Sequence, residues 1–468
     1  MKIPLKPPDY SVLTREVLED YSHEQLAMIM GLNTSYGPIT AKGEYVHWDR
    51  LRHLTPPGGL DHPTWWFALK SARNSISTKL PLNDKHGRPF VFVTPEPVLR
   101  MLHELDRDAC GEIRVDNQVM TPETRDTYLV RSLIEEAITS SQLEGAATTR
   151  KVAKEMLMKG RTPRTHGEHM IANNYRAMQF IREIRNDDLT PALILELHRI
   201  VTENTLENPQ AAGRLRTDLD DIHVVDATDS TVLHIPPDAC ELEIRIQKVC
   251  TFANGQGDGP FIHPAIRAIL LHFALAYDHP FVDGNGRTAR ALFYWSMARE
   301  GYWLMEYITI SRILKEAPIQ YARAFLYTET DDNDTTYFII QQLNVIRKAI
   351  GALHEYITHK SETIHATEQL LRKVPELQAR INHRQLALLN HALKHPGNHY
   401  RIQGHRRSHN VTYDTARTDL LKLADIGWLD KHKSGKAYVF IAPADMYDRI
   451  KETGRHLKAM DESRRLMY

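Results

Sequence analysis

The sequence predicts a mainly α-helical protein that folds as more than one domain. Its 468 residues are enough for two or three domains of roughly 100–200 residues each. Nearly every segment from residue 124 to about residue 360 repeats apolar residues with helical spacing, interrupted by one pair of β-rich pieces. After residue 382 the pattern changes to short helices followed by short strands. These observations indicate a helical central domain between two regions of different character.

The N-terminal region, residues 1–112, is predicted to be rich in α-helix. Proline and glycine interrupt it, most clearly at Thr55-Pro56-Pro57-Gly58-Gly59, and a short strand or hairpin is predicted at 89–93. Trp65 and Trp66 precede Phe67 in an aromatic cluster. Because such large side chains are usually buried, we expect the tryptophan pair to pack in a core.

The central region, residues 113–360, is predicted to be a helical domain with one β-hairpin. Residues 222–225 and 231–235 have strand composition, and the five residues between them have turn composition. The hairpin therefore lies between the fourth and fifth predicted helices. The predicted helices cover residues 124–144, 150–159, 167–185, 191–203, 240–252, 264–277, 287–300 and 337–359.

The C-terminal part is predicted to be a linker at 361–381, a domain at 382–445, and a helix or tail at 446–468. Helices at 382–394, 403–409 and 412–424 precede strands at 428–433 and 437–440, which is the order of a winged helix. Thr412 is a good N-cap for the third helix, and Ser434-Gly435 a good wing turn.

The predicted winged-helix domain is basic. Between residues 380 and 440, eleven Lys and Arg stand against four Asp, an excess of seven positive charges. Two interpretations remain open. Either the third helix enters a DNA major groove while wing cations contact phosphates, or the domain pairs with another protein or subunit.

The run HPFVDGNGRTAR at residues 279–290 has the features of an anion-binding loop. Pro280 disfavours a helical conformation at His279, so the preceding apolar helix ends there. Helical periodicity resumes after residue 287, and the free N–H groups of the new helix attract anions. Gly284 and Gly286 lack the Cβ atoms that would keep a phosphate away from the backbone.

Side chains of the same run supply the rest of a phosphate-chemistry site. Arg287 and Arg290 are three residues apart on one helix face, so both can reach the same ligand. Asp283 is a hard oxygen ligand suited to Mg²⁺, which shares its other positions with water and phosphate oxygens. His279 has an ordinary pKa suited to taking a proton near neutral pH. Each residue alone fits an ordinary loop, but their fixed order favours function.

This run resembles the signature of the Fic family, H-x-F-x-D/E-G-N-G/K-R-x-x-R, and no position departs from it. The resemblance implies transfer of AMP from ATP to a Ser, Thr or Tyr hydroxyl of a target protein or of the chain itself, with pyrophosphate released. It also implies a general base, a magnesium ligand, an anion hole and an inward-pointing anchor. Relatives that phosphorylate tend to carry lysine at the position of Gly286, so the glycine implies nucleotidyl transfer. The matching residues are His279, Phe281, Asp283, Gly284, Asn285, Gly286, Arg287 and Arg290.

A second match lies in the predicted helix near residues 126–145. Ser140, Glu144 and Gly145 fit the family's inhibitory motif, S/T-x-x-x-E-G/N. Ser140 and Glu144 share a helix face, and Gly145 is well placed to end the helix. The resemblance implies that Glu144 pairs with Arg290 and withholds it from the γ-phosphate of ATP. The chain would then inhibit itself without a separate antitoxin.

The predicted hairpin resembles the flap with which the family clamps a target segment by strand addition. His234-Ile235-Pro236-Pro237 resembles the end of that flap. The resemblance implies that Thr231, Val232, Leu233 and His234 contact the nucleotide. Relatives also place helix residues near the base at positions matching Tyr321 to Phe325, and many carry a C-terminal winged helix.

Composition limits the function classes and leaves several alternatives open. With 59 basic and 59 acidic residues, the chain is not a protein that coats nucleic acid over its whole surface. The sequence predicts neither a signal peptide nor a membrane span, and its three cysteines fit a reducing cytoplasm. The open alternatives are a nucleotide-sensing transcription regulator, a different nucleotide donor, and AMP removal with Glu144 activating water. A second copy of the chain also remains open as a partner.

Overall fold

The computed structural model describes residues 2–110, 122–226, 229–257, 259–372, 381–395, 397–434, 437–443, 445–450 and 452–453. The described residues form two compact units. Residues up to Leu353, apart from 122–125, belong to the first unit, and those from His354 onward belong to the second together with 122–125. As predicted, the fold is mainly α-helical.

The first unit begins with helices and one β-hairpin. Trp65 and Trp66 are 6% and 1% exposed and pack with Trp48, as predicted for a core pair. Residues 89–92 form a strand, and its hairpin partner is a strand that the sequence analysis had not placed. The elements are α1 (Tyr10–Asp20), α2 (His23–Tyr36), α3 (Trp48–Leu51), α4 (His62–Ser75), β1 (Thr78–Asn83), β2 (Pro89–Phe92) and α5 (Glu96–Ala109).

The central helices follow the predicted order, with two additions and one extension. Helices α13 and α14 were not predicted, and α15 continues through Arg372. Residues 361–372, predicted as linker, are therefore helical, because no proline or glycine interrupts them; residues 373–380 lie outside the described ranges. The elements are α6 (Pro122–Leu143), α7 (Arg150–Lys159), α8 (His166–Glu183), α9 (Pro191–Thr202), β3 (Val224–Val225), β4 (Val232–His234), α10 (Leu242–Ala253), α11 (Pro264–Asp278), α12 (Asn285–Arg299), α13 (Ile310–Glu316), α14 (Pro318–Thr330) and α15 (Thr336–Arg372).

Threonine caps begin three successive helices. Thr149, Thr165 and Thr190 are the N-caps of α7, α8 and α9, and each side chain accepts a hydrogen bond from a backbone N–H of the first turn. Gly160 ends α7 in the left-handed conformation, with φ of 64°. These local signals explain why the predicted and observed bounds of the three helices agree closely.

Helices α11 and α12 lie in the centre of the main core. Leu270, Leu271 and Leu275 of α11 are fully buried, as are Leu292 and Trp295 of α12, because α11 is apolar on almost all of its faces. The same core takes side chains from β1, β2 and α5. The N-terminal region therefore shares a core with the central helices.

A buried ion cluster joins α4 to the segment between α14 and α15. Lys70 Nζ lies 2.5 Å from Asp331 Oδ1, and both side chains are almost fully buried. Arg73 donates to the Tyr337 hydroxyl (2.8 Å) and to the Val46 carbonyl (3.0 Å). Because each buried charge has a partner, the cluster fixes where α14 ends.

Strands β3 and β4 form the predicted hairpin. They pair antiparallel, with Val224 opposite His234. The backbone N–H of Asp226 donates to Thr231 O at 2.8 Å and continues the pairing toward the turn. Ala227 and Thr228 of the predicted turn lie outside the described residues.

The second unit combines helices with a three-stranded antiparallel sheet of strand order β5-β7-β6. Leu389, Leu420, Trp428 and Phe440 fill its core, and the Thr412 side chain accepts from Thr415 N at 3.2 Å as the predicted N-cap. Gly435 of the predicted wing turn lies outside the described residues. The elements are α16 (His383–Lys394), β5 (His399–Arg401), α17 (Ile402–His409), α18 (Tyr413–Asp425), β6 (Asp430–Ser434) and β7 (Ala437–Ile441).

Residues 446–450 are helical, and most of the segment predicted as a C-terminal helix or tail lies outside the described ranges. None of the described helices combines the length and the hydropathy that a membrane-spanning segment requires.

Candidate active site

The loop between α11 and α12 is closed by the side chain of Asn285. Its Oδ1 accepts from Phe281 N (3.0 Å) and its Nδ2 donates to Phe281 O (2.8 Å). Gly284 precedes α12 with φ of 82°, and a Cβ there would lie 2.8 Å from Thr202 Cγ2. The turn therefore needs glycine for both its conformation and its packing.

His279 lies at the end of α11 in the left-handed conformation, with φ of 44°. Its Nδ1 is 3.3 Å from the Ala276 carbonyl, so Nδ1 carries the proton and Nε2 keeps its lone pair. Burial lowers the pKa of His279 to about 4, which keeps the ring neutral at neutral pH. A neutral imidazole with a free lone pair can accept a proton.

His198 of α9 supports the middle of the loop. Its ring stacks on Phe281, with ring centroids 3.8 Å apart and planes 4° apart. Gly213 N donates to its Nδ1 (3.0 Å), so Nε2 carries the proton and donates to Asp283 O (2.9 Å). Burial lowers the pKa of His198 to about 4 and keeps it in this neutral form. His198 thereby fixes the backbone of Asp283.

Arg287 points into the protein. Its guanidinium is buried and donates to Val201 O and to Asp283 Oδ2, each at 3.1 Å. Its Nε atom is buried without a hydrogen-bond partner among the described residues. The expectation that Arg287 and Arg290 share one ligand is therefore corrected: Arg287 orients Asp283, whose side chain is half exposed.

Arg290 is held by the end of α6. Its Nε donates to Ser140 Oγ (2.9 Å), and its Nη2 donates to Ser140 O (3.1 Å) and lies 2.8 Å from Glu144 Oε1. Burial disfavours the cation, but the neighbouring Glu144 carboxylate outweighs burial and raises the pKa of Arg290. The residues of the predicted inhibitory motif thus meet the last arginine of the loop motif.

Glu144 also lies against the first turn of α12. A Cβ built on Gly286 would overlap Glu144 Oε1 and would be 2.9 Å from Glu144 Cδ. The first N–H groups of a helix have no partner within the helix, and the helix dipole favours negative charge there. The Glu144 carboxylate thus lies at the N-terminus of α12, and only glycine at residue 286 leaves room for it.

Helix α6, which carries Glu144, is anchored deep in the first unit. Ala137, Ile138 and Ser141 are fully buried. Glu136 accepts from Tyr294 OH (2.9 Å) and from Ser311 N (3.2 Å). Only the Glu144 side chain at the helix end is partly exposed, at 32%.

Comparison with known proteins supports the sequence resemblance. Residues 188–297 match the Fic/DOC family. The chain contains a Fic domain. The domain spans α9 to α12 with the flap between them, and the α11–α12 loop lies near its end.

Relatives of the Fic domain include "Protein adenylyltransferase Fic" of Drosophila melanogaster, 30% identical over 207 residues. That alignment covers 43% of this chain and 39% of the fly protein. "Protein adenylyltransferase fic-1" of Caenorhabditis elegans is 28% identical over 219 residues, covering 46% of this chain and 40% of the worm protein. The chain spans about two fifths of the length of the curated relatives it matches. A solved Fic family protein from Desulfovibrio desulfuricans aligns with 74% of this chain and 96% of its own, with 16% identity and a TM-score of 0.46.

The flap of the Fic domain is anchored by His234. Its Nε2 lies 2.7 Å from Tyr277 O, and its Nδ1 lies 3.0 Å from Glu329 Oε2. Both ring nitrogens are thus engaged by protein, which corrects the expectation that the His234 ring contacts nucleotide. Val232 is exposed, and Thr231 and Leu233 are partly exposed, on the preceding part of the flap.

The sequence analysis gave no role to three residues that hold this site together. His198 and Glu136 are single polar residues on otherwise ordinary helices, and Arg216 precedes the flap without a recognisable partner. The only sequence signal was their type, a polar side chain in a helical or loop segment. Tyr321, expected near the base, lies with its hydroxyl 2.8 Å from His272 Nε2, and burial raises its pKa.

Proposed function

We propose that this protein is an autoinhibited protein adenylyltransferase. It would transfer AMP from ATP to a Ser, Thr or Tyr hydroxyl of a target protein or of itself, and release pyrophosphate. The observation that carries the proposal is the pairing of a neutral, buried His279 with an Arg290 that Glu144 holds at the N-terminus of α12. The printed names of the fly and worm relatives support it.

His279 is the proposed general base. Its Nε2 accepts the hydroxyl proton while the hydroxyl oxygen attacks the α-phosphorus of ATP. The bond between the α-phosphorus and the bridging oxygen breaks, and pyrophosphate leaves. The free N–H groups at the start of α12 would stabilise the charge that develops on phosphate oxygens.

We further propose that Mg²⁺ is held by Asp283 together with the triphosphate. The half-exposed carboxylate uses one oxygen for Arg287, which leaves the other for a cation. Among the described residues no group of three His, Cys, Asp or Glu could hold a metal alone. This fits Mg²⁺, which is commonly bound by one or two carboxylates plus substrate phosphates. The cation would offset phosphate charge.

The proposed autoinhibition follows from competition for one guanidinium. Arg290 is almost fully buried and its Nη2 already lies against Glu144 Oε1 and Ser140 O. An arginine occupied in this way cannot orient the γ-phosphate, so ATP would bind without the in-line geometry that transfer needs.

The proposal is tested with ATP and Mg²⁺ on four proteins: wild type, Glu144→Gly, His279→Ala, and the double variant. Intact-mass spectrometry reports an AMP adduct on the chain. We expect strong self-modification in Glu144→Gly alone. Glu135→Ala is the control for loss of a glutamate on α6, because Glu135 pairs with Arg150 and not with Arg290. A Glu144→Gly protein that binds ATP but stays unmodified with every nucleotide would instead support a nucleotide sensor.

For the second unit we propose a winged helix that binds duplex DNA. Arg406, Arg407, Arg417, Lys431 and Lys433 are all exposed, which suits contact with phosphates. Arg384 is excluded from this set because it is bound to Asp419 in the interior, at 2.7 Å.

Fluorescence anisotropy with a labelled duplex at low salt tests DNA binding. We expect Arg406→Ala/Arg407→Ala to weaken binding and to flatten its salt dependence by about one logarithmic unit per lost phosphate contact. Arg347→Ala/Lys348→Ala, an exposed basic pair in the first unit, is the control. Binding that is unchanged in the test variant would favour a protein partner.

A further inference from the structure

The last turn of α11 is capped by side chains from two other segments. The last carbonyls of a helix have no partner within it. Here Tyr277 O accepts from His234, while Asp278 O and His279 O lie 3.5 Å and 2.9 Å from the guanidinium of Arg216. The helix end that carries the proposed base is therefore closed by protein donors.

Arg216 binds more than this helix end. Its backbone N–H donates to Pro280 O at 2.8 Å, and its Nη2 donates to Pro237 O. The residue is 7% exposed, so water does not compete freely for these donors. Its charge also lies at the C-terminal end of a helix, where a cation is favoured.

The bonds of Arg216 fall on both sides of the backbone unit that orients His279. His279 has the left-handed conformation, which is unfavourable for a residue with a Cβ and persists only when its surroundings hold it. The imidazole itself has one contact to the chain behind it, from Nδ1 to Ala276 O. A rotation of the peptide that follows His279 would move the ring and its Nε2 together.

We propose that Arg216 is a positioning residue for His279, and that it couples the orientation of this base to the end of the flap through Pro237. The inference rests on the proposed adenylyl transfer. Arg216 does not touch the reacting atoms in this scheme. It holds the His279 carbonyl, the Pro280 carbonyl and the flap end in one arrangement.

The guanidinium geometry matters for this role. Arginine places several N–H donors in a rigid plane, whereas lysine offers one ammonium on a flexible stem. Lysine at residue 216 could neutralise the helix end but could not bind His279 O through Nε and Pro237 O through Nη2 together. Arg216→Lys thus separates the charge from the positioning.

The experiment uses the full chain in the Glu144→Gly background and compares Arg216→Lys with Arg214→Lys. Arg214 lies in the same segment but binds Leu215 O and Asp220, so it controls for the substitution itself. The maximal rate of self-modification and the half-saturating ATP concentration are measured, with ATP-binding stoichiometry by calorimetry as a check on the folded fraction. We expect Arg216→Lys to lower the maximal rate about tenfold or more with unchanged stoichiometry and half-saturation, because small misplacement of a reacting group is costly.

A second measurement does not depend on activity. Nitrogen-15 NMR of labelled histidines reports the tautomer and surroundings of His279 in otherwise wild-type protein, and we expect its signals to change in Arg216→Lys but not in Arg214→Lys. Added guanidinium should partly restore the rate of Arg216→Ala. Unchanged His279 signals, or an unchanged maximal rate in an active background, would overturn the positioning role. An inactive Glu144→Gly background would count against the proposed function, while the NMR result would still decide the role of Arg216.

Discussion

The carboxylate of Glu144 lies where a side chain on Gly286 would begin. A Cβ at residue 286 would overlap Glu144 Oε1 and would stand 3.0 Å from Arg290 Nη1. The glycine of the loop motif and the glutamate of the helix motif are thus sterically dependent on each other, although 142 positions separate them in the numbering.

Gly286→Ala should release part of the inhibition. The added methyl group displaces the end of a flexible glutamate side chain, so the Glu144–Arg290 pair breaks. We expect self-modification above that of wild type and below that of Glu144→Gly, since the methyl also crowds the phosphate site. The assay is the AMP adduct by intact mass. Gly351→Ala, at a helical glycine with open space around its Cα, should behave as wild type.

Ser140→Ala should lower stability and weaken inhibition together. It removes the hydroxyl that binds Arg290 Nε and leaves a buried charged donor without a partner, a loss of about 1–3 kcal/mol. The free energy of unfolding is measured by urea denaturation, and the adduct by mass. Ser141→Ala is the matched control, because Ser141 Oγ donates to Met170 O and leaves Arg290 untouched. If both variants modify themselves equally, Ser140 has no specific part in holding Arg290.

His198→Ala should raise the Mg²⁺ concentration needed for half-maximal modification in the Glu144→Gly background. The ring fixes the Asp283 carbonyl and stacks on Phe281, so its loss lets the proposed magnesium ligand move. We expect a shift of about tenfold or more, as for other groups that orient a metal ligand. A magnesium titration measures it. His166→Ala serves as control, since His166 binds Thr205 O away from the loop.

The acid limb of adenylyl transfer should lie near pH 4. Burial lowers the pKa of His279 to about 4, and the neutral ring is the active form, so the rate falls only when pH drops through that value. The Glu144 carboxylate favours the protonated ring, so its removal does not raise this pKa. The pH dependence of kcat/KM for Glu144→Gly reports the free enzyme. A limb centred near the ordinary histidine value of about 6.5 would contradict a buried, neutral base.

Much of the loop could be predicted because its chemistry is local. Pro280, Gly284 and Gly286 act within one turn of their neighbours, so the break between α11 and α12 follows from the sequence. The Glu144–Arg290 pair was different, because no periodicity links residues so far apart. It was expected only from the resemblance to the Fic family.

The orientation of individual side chains could not be predicted. Arg287 and Arg290 have the same spacing on α12, yet Arg287 meets the Val201 carbonyl and Arg290 meets α6. That difference depends on which helix ends pack beside α12. The length of α15, by contrast, was readable, since its sequence contains no breaker between Gly351 and Pro375.

The burial of α6 determines what kind of event can activate the protein. Because Ala137 and Ile138 are fully buried and Glu136 is bonded to Tyr294, the helix cannot leave without disrupting the core. The brake can therefore open by torsional motion of one side chain, on the fast timescale of rotamer exchange. Activity then becomes a question of rotamer population, and a partner that shifts this equilibrium by about 1.4 kcal/mol changes the open-to-closed ratio tenfold.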